Sequence, residues 1–137
     1  MDVNALMPTD GKYCLDTNII ISLFAGNKSI LTKLTQASEV FIPSTVLGEL
    51  YYGALKSARI NENINRIDDF ALGCTILTCD AETAGEYGRI KVELTRKGKM
   101  IPENDIWIAA ATRLYELTIV TNDEHFGVIE NLKIASW

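Results

Sequence analysis

Tyr13-Cys14-Leu15-Asp16-Thr17-Asn18-Ile19-Ile20 decides how the whole chain is read. A short apolar run closes on an acid and two turn-forming polar residues, and apolar residues then resume, the pattern of a buried strand feeding a helix. The alternation repeats outward. Val40-Phe41-Ile42 is a second strand, stopped by Pro43-Ser44. Thr75-Ile76-Leu77 is a third, Thr118-Ile119-Val120-Thr121 a fourth, and Lys133-Ile134-Ala135 a short edge strand. Between them the apolar spacing changes to three and four. A short helix is expected over Ile19–Phe24; Leu47, Leu50, Tyr51 and Ala54 share one helical face, and Ile60, Ile64, Ile67 and Ala71 another. A longer helix carries Ala84, Tyr87, Ile90 and Leu94 and ends at Gly98 after the basic turn Arg96-Lys97. The last buries Ile106, Ala109, Ala110, Leu114 and Leu117, with Asn104 as its expected N-cap and Asp105 in its first turn. Strands alternating with helices build a parallel sheet covered on both faces. The predicted fold class is therefore α/β, a three-layer sandwich with a central parallel β-sheet flanked by helices.

Composition bounds the rest. A chain of 137 residues, 47% hydrophobic and 23% charged, suits a single domain over 1–137, with the polar residues 1–11 as a loose leader in which Met7 is an alternative start. The longest apolar run, Ile106–Ala111, is six residues where a bilayer span needs about 20. No membrane segment or secretory signal is visible, and a cytoplasmic location is expected. Cys14, Cys74 and Cys79 are odd in number, lack C-x-x-C spacing and read as small buried hydrophobes. One histidine, His125, leaves little for thiolate–imidazole zinc sites or Ser-His-Asp catalysis; with Phe126 it reads as docking the last loop. Carboxylates remain.

In an open α/β sheet ligands bind beyond the carboxyl ends of the strands, so acids placed there matter most. Asp16 ends the first strand, Asp123 follows the fourth, and Asp105 opens the helix that feeds the fourth. Glu49 lies alone among Val46, Leu47, Gly48, Leu50, Tyr51 and Tyr52. Taken singly, Asp16 and Asp105 fit as helix caps or dipole partners; a cap does not account for Glu49. Four converging carboxylates would repel one another unless a cation sat among them. Hard oxygen ligands select Mg²⁺ or Mn²⁺, and a metal-activated water then suits hydrolysis of a phosphodiester.

The order Leu15-Asp16-Thr17-Asn18-Ile19, Glu49-Leu50-Tyr51-Tyr52-Gly53, Pro102-Glu103-Asn104-Asp105-Ile106-Trp107-Ile108-Ala109-Ala110 and Ile119-Val120-Thr121-Asn122-Asp123-Glu124-His125-Phe126 closely resembles the PIN-domain nucleases. Within them it resembles the VapC-type toxins of type II toxin–antitoxin pairs. Each piece alone is weak; the four in order, with the acids 33, 56 and 18 residues apart, are specific. The resemblance implies a PIN-like sandwich and an Mg²⁺- or Mn²⁺-dependent endoribonuclease. It implies Asp16, Glu49, Asp105 and Asp123 as metal-binding acids, with Asn122 or Glu124 as alternatives at the variable fourth position. Thr17 and Thr121 match hydroxyl positions that orient metal or water, although their place at strand ends also suits β-branched residues. Asn104 is expected beside the ligands. The implied partners are an RNA substrate, a VapB-like DNA-binding antitoxin and a second copy in a homodimer.

A rival reading is a non-catalytic PIN-like module that binds RNA or acts with an antitoxin; the intact acid set argues against it. Five of the 13 basic residues, Arg89, Lys91, Arg96, Lys97 and Lys99, fall within eleven positions. Arg89, Lys91 and Lys99, with Asn104, are the candidates for touching phosphate, while Arg96 and Lys97 also suit a helix end. The net charge of −5 does not exclude RNA, because 13 basic against 14 acidic residues remain once the four site acids are set aside. Tyr51, Tyr52, Leu23, Phe24 and Leu34 are either core or an apolar groove for a partner's helix. Asp68, Asp69, Asn61, Asn63 and Asn65 read as a solvated helix face.

Overall fold

The computed structural model describes residues 11–137. Strands β1 (Lys12–Leu15), β2 (Glu39–Pro43), β3 (Thr75–Leu77), β4 (Thr118–Val120) and β5 (Lys133–Ala135) form one parallel sheet in the order β3-β2-β1-β4-β5. Six helices flank it: α1 (Thr17–Phe24), α2 (Lys28–Gln36), α3 (Ser44–Leu55), α4 (Ile60–Leu72), α5 (Ala81–Lys97) and α6 (Glu103–Leu114); a 3₁₀ turn spans Glu124–Val128. The sheet agrees with the α/β expectation, including the edge position of β5. α2 had no span of its own in the sequence reading, since only Ile30, Leu31 and Leu34 of its nine residues are apolar and Ile30 alone is fully buried.

Parallel strands covered on both faces need apolar side chains throughout, and β4 is buried at all three positions. Leu15, Ile20, Ile42, Ile106, Ile108 and Ile119 are fully buried in the cluster that joins sheet and helices, each contributing roughly 1.5–3 kcal/mol of hydrophobic stabilisation. From β1 the chain winds outward through β2 to β3, then returns to the other side of β1 as β4 and continues to β5. Connections therefore diverge between β1 and β4 and leave a crevice at their carboxyl ends. Leu15 is in register with Val120, so Asp16 and Thr121 leave the sheet side by side.

Three local readings are corrected. The loose leader was expected over residues 1–11; residues 1–10 lie outside the described residues, and Gly11 is part of the fold. Its carbonyl accepts from Ser38 N–H at 2.8 Å and Glu39 N–H at 3.1 Å, and at φ +75° a Cβ would meet Ser38 Oγ at 2.8 Å. Asn104 is not an N-cap: α6 begins at Glu103, and the preceding Pro102, extended at φ −55° and ψ 143°, offers its carbonyl to the N–H groups of Asp105 and Ile106. Proline's fixed φ already sets up that first turn. Of the cysteines Cys14 is buried, Cys74 half-buried and Cys79 exposed, since β3 is the sheet edge and Cys79 lies past its end. Gly98 does end α5, with φ +65° and a Lys99 N–H bond to the Leu94 carbonyl at 3.0 Å.

An ion cluster that the sequence reading did not single out fastens α5 to α6. Arg113 donates through Nε to Glu86 Oε1 at 2.9 Å and through Nη1 to Glu93 Oε2 and the Glu130 carbonyl, both at 3.1 Å. Burial works against its charge, but the two carboxylates outweigh that and raise its pKa. Among the described residues no helix is long and apolar enough to cross a membrane.

Candidate metal centre

The crevice between β1 and β4 is where the acids meet. Asp16, 5% exposed, caps α1: Oδ1 accepts the Thr17 N–H at 2.8 Å, and Oδ2 accepts the Thr121 hydroxyl at 2.8 Å. Thr121 Oγ1 in turn accepts the Asp123 N–H at 2.9 Å, and Asp123 Oδ1 accepts the His125 N–H at 2.9 Å. The third residue of α6, Asp105, places Oδ2 3.0 Å from His125 Nδ1, and the same nitrogen is 3.1 Å from Asp123 Oδ1. Glu49 reaches in from the middle of α3, where the helix is otherwise uncharged.

The electrostatics are those of crowded acids with His125 as their one basic neighbour among the described residues. Burial raises the pKa of Asp16; the bonds from Thr121 and Thr17 oppose the rise, and repulsion by Asp105 and Asp123 adds to it. Glu49 is raised by burial and by Asp16 and Asp105, against the nearby Thr17 hydroxyl. Yet neither Glu49 Oε1 nor Thr17 Oγ1, both buried, completes a hydrogen bond. Asp105 is raised by burial and by Asp123 and lowered by His125. His125 is itself raised, first by its bond to Asp105. Among the described residues no Lys or Arg pairs with any of the four acids. Buried polar atoms without partners, beside carboxylates that no Lys or Arg neutralises, are chemically suited to a hard divalent ion.

Asp16, Glu49, Asp105, Asp123, Thr17 and Thr121 are thus brought to one crevice. The four candidate contacts to phosphate are not among them. Arg89 lies 3.7 Å from Glu86, and Lys91 is held by Glu103 at 2.6 Å and the Tyr87 hydroxyl at 3.0 Å. Asn104 and Lys99 are exposed. The residue that sequence reasoning left out is His125. Its signal was the Asp-x-His spacing: an Asp side chain that binds the N–H two residues on turns the chain back, here bringing the imidazole over the acids. Phe126, fully buried, docks the loop as expected.

A groove of 360 Å³ runs beside the crevice between α1, α3 and α4, lined among others by Ile21, Phe24, Leu50, Gly53 and Arg66, with Glu49 in its wall. Of the five residues left open as core or groove, Phe24 lines this groove and Leu34 lines a second pocket beside Val40 and Phe70. Tyr51 donates to Asp68 at 2.5 Å, Tyr52 lies outside under Lys56, and Leu23 and Leu34 pack on the core. The expected solvated face of α4 is therefore partly engaged, through Asp68 and through Asn63, which bonds Ser57 Oγ at 2.9 Å.

A doubly wound parallel sheet with acids at its switch point defines a class, and the PIN domain model matches residues 13–132. The chain belongs to the PIN-domain family. Ribonuclease VapC2 of Haemophilus influenzae is 40% identical over 129 residues, covering 92% of this chain and 98% of the relative. The tRNA(fMet)-specific endonuclease VapC of Shigella flexneri is 33% identical over the same shares. The crystal structure of VapBC2 from Rickettsia felis, bound to a DNA fragment from their promoter, superposes with a TM-score of 0.87 at 32% identity, over 92% of this chain and 98% of that one. Within the family this protein is an endoribonuclease of the VapC type.

Proposed function

We propose that this protein is the toxin of a toxin–antitoxin pair and cuts RNA with Mg²⁺ or Mn²⁺ held by Asp16, Glu49, Asp105 and Asp123. The observation that carries the reading is the buried, partnerless Glu49 Oε1 among carboxylates that no Lys or Arg neutralises. The donor set, all oxygen from the four acids, fits a hard divalent ion that keeps several waters. Such an ion, when bound, neutralises charge on the phosphate and makes water a nucleophile near neutral pH. The chain's own part is to hold the acids in place. Thr121 fixes Asp16 Oδ2 and, through the Asp123 N–H, the loop after β4; the Thr17 N–H fixes Asp16 Oδ1. Burial keeps bulk water from screening their charge.

The groove that reaches Glu49 supports an antitoxin segment as its occupant, with apolar side chains against Ile21 and Leu50 and a basic one against the acids. Solved relatives include VapBC complexes from Rickettsia felis and Salmonella typhimurium. The Shigella relative is named for tRNA(fMet), which makes transfer RNA the first substrate to try. The test is cleavage of end-labelled transfer RNA and total RNA by purified protein with Mn²⁺ or Mg²⁺. Discrete cuts leaving 5′-phosphates, lost with EDTA and with Asp16→Asn, are expected. Full cleavage by Asp16→Asn would overturn the site.

A further inference from the structure

The loop after β4 puts an imidazole where an all-oxygen site has no use for one. His125 Nδ1 lies 3.0 Å from Asp105 Oδ2 and 3.1 Å from Asp123 Oδ1. A protonated ring can share its Nδ1–H between the two carboxylate oxygens, and a cation held by all three atoms accounts for the same spacing. In an octahedral shell with bonds of roughly 2.1 Å, adjacent ligand atoms lie about 3 Å apart, and the three atoms all fall within 4.8 Å of one another. The placement is also anchored. Asp123 Oδ1 holds the His125 backbone N–H at 2.9 Å, and the next residue, Phe126, is fully buried.

We infer that His125 supplies a nitrogen ligand beside Asp105 and Asp123, so that the centre prefers Mn²⁺ to Mg²⁺. The inference rests on the metal reading above and deepens it. Mg²⁺ favours oxygen shells and parts reluctantly with its waters, whereas first-row transition ions accept imidazole readily; Mn²⁺ is the one among them that carboxylates also suit. A mixed shell of carboxylates and one imidazole therefore separates two ions that an all-carboxylate shell would hold more nearly alike.

The experiment uses the full chain stripped of metal, with Mn²⁺ and Mg²⁺ as probes and no RNA. Electron spin-echo spectroscopy of bound Mn²⁺ should show nitrogen modulation in the parent and none in His125→Gln. Calorimetric titration should show Mn²⁺ affinity falling in that variant by at least the roughly tenfold that losing even a supporting partner costs a metal site, with Mg²⁺ affinity far less changed. Circular dichroism confirms that the variant is folded, and the parent spectrum alone decides the ligand if it is not. Bound Mn²⁺ without nitrogen modulation, or equal losses for both ions, would overturn the ligand role while leaving the acid site standing. If the parent binds neither ion, both readings fall.

Discussion

Thr121 Oγ1 donates to Asp16 Oδ2 at 2.8 Å across 105 residues of sequence, and the same oxygen accepts the N–H of Asp123. One hydroxyl thus ties the acid at the end of β1 to the loop at the end of β4. Thr121→Val keeps the shape and removes both bonds. It leaves a buried carboxylate oxygen short of a donor, which costs about 1–3 kcal/mol, and it frees the Asp123 loop. Mn²⁺ affinity and RNA cleavage should each fall about 10- to 100-fold, while Thr121→Ser stays close to the parent. Equal activity in Thr121→Val would mean that the hydroxyl only completes the strand end.

Charge repulsion in the metal-free crevice makes the acids a cost to the fold. Asp16 is raised by burial and by Asp105 and Asp123, so at neutral pH its charge opposes folding. Asp16→Asn relieves that opposition and should raise the metal-free thermal midpoint, by about 2–4 °C for each kcal/mol gained, while abolishing cleavage. Added Mn²⁺ should stabilise the parent by mass action and leave the variant almost unmoved. A metal-free variant less stable than the parent would argue that these acids are balanced by neighbours.

Much of this was legible in the residues, for a physical reason. The strands of a parallel sheet are short apolar runs that end abruptly, as at Leu15-Asp16 and Val120-Thr121-Asn122, so their ends can be read and the acids fall at them. Glu49 stood out because no other charge shares its helix. His125 did not, since a histidine beside a buried aromatic has a sufficient packing explanation until the turn made by Asp123 is seen. Lys91 looked free as one of a run of basic residues; its carboxylate partner Glu103 is 12 residues away on another helix, and no local pattern announces such a pair. The choice between core and groove stayed open in the sequence for the same reason, because which face of α1 and α3 stays uncovered depends on α4 packing beside them.

The three cysteines offer a direct test of the fold. Burial pushes the Cys14 thiol up to about 12, with Asp16 adding to the rise and Thr112 opposing it, and burial pushes Cys74 up to about 11. Neither thiolate forms appreciably at pH 8, whereas Cys79 is exposed. An aromatic disulfide reagent at that pH should titrate one thiol quickly in the folded protein and three in denaturant. Cys79→Ser should remove the fast phase; a fast phase that survives would place Cys74 nearer the solvent than β3 allows.

Phe126 links the core to the chemistry. It is fully buried in the 3₁₀ turn whose preceding residue is Asp123 and whose second residue is His125, so its packing sets where both side chains stand. Phe126→Ala removes a large buried ring and should cost about 3–5 kcal/mol, enough to threaten folding in a protein of ordinary stability. Phe126→Leu is the more informative change. It keeps most of the volume, so the thermal midpoint should drop only modestly, but the turn is no longer held in one position. In the proposed site Mn²⁺ would be held by Asp123 from this loop and by acids from outside it, so the leucine variant should lose affinity while retaining the secondary structure seen by circular dichroism. Titration of both variants alongside their unfolding curves separates the two effects. If affinity follows stability in proportion, the ring serves the fold alone; a larger loss of affinity in Phe126→Leu than its small loss of stability accounts for shows that the core positions the acids.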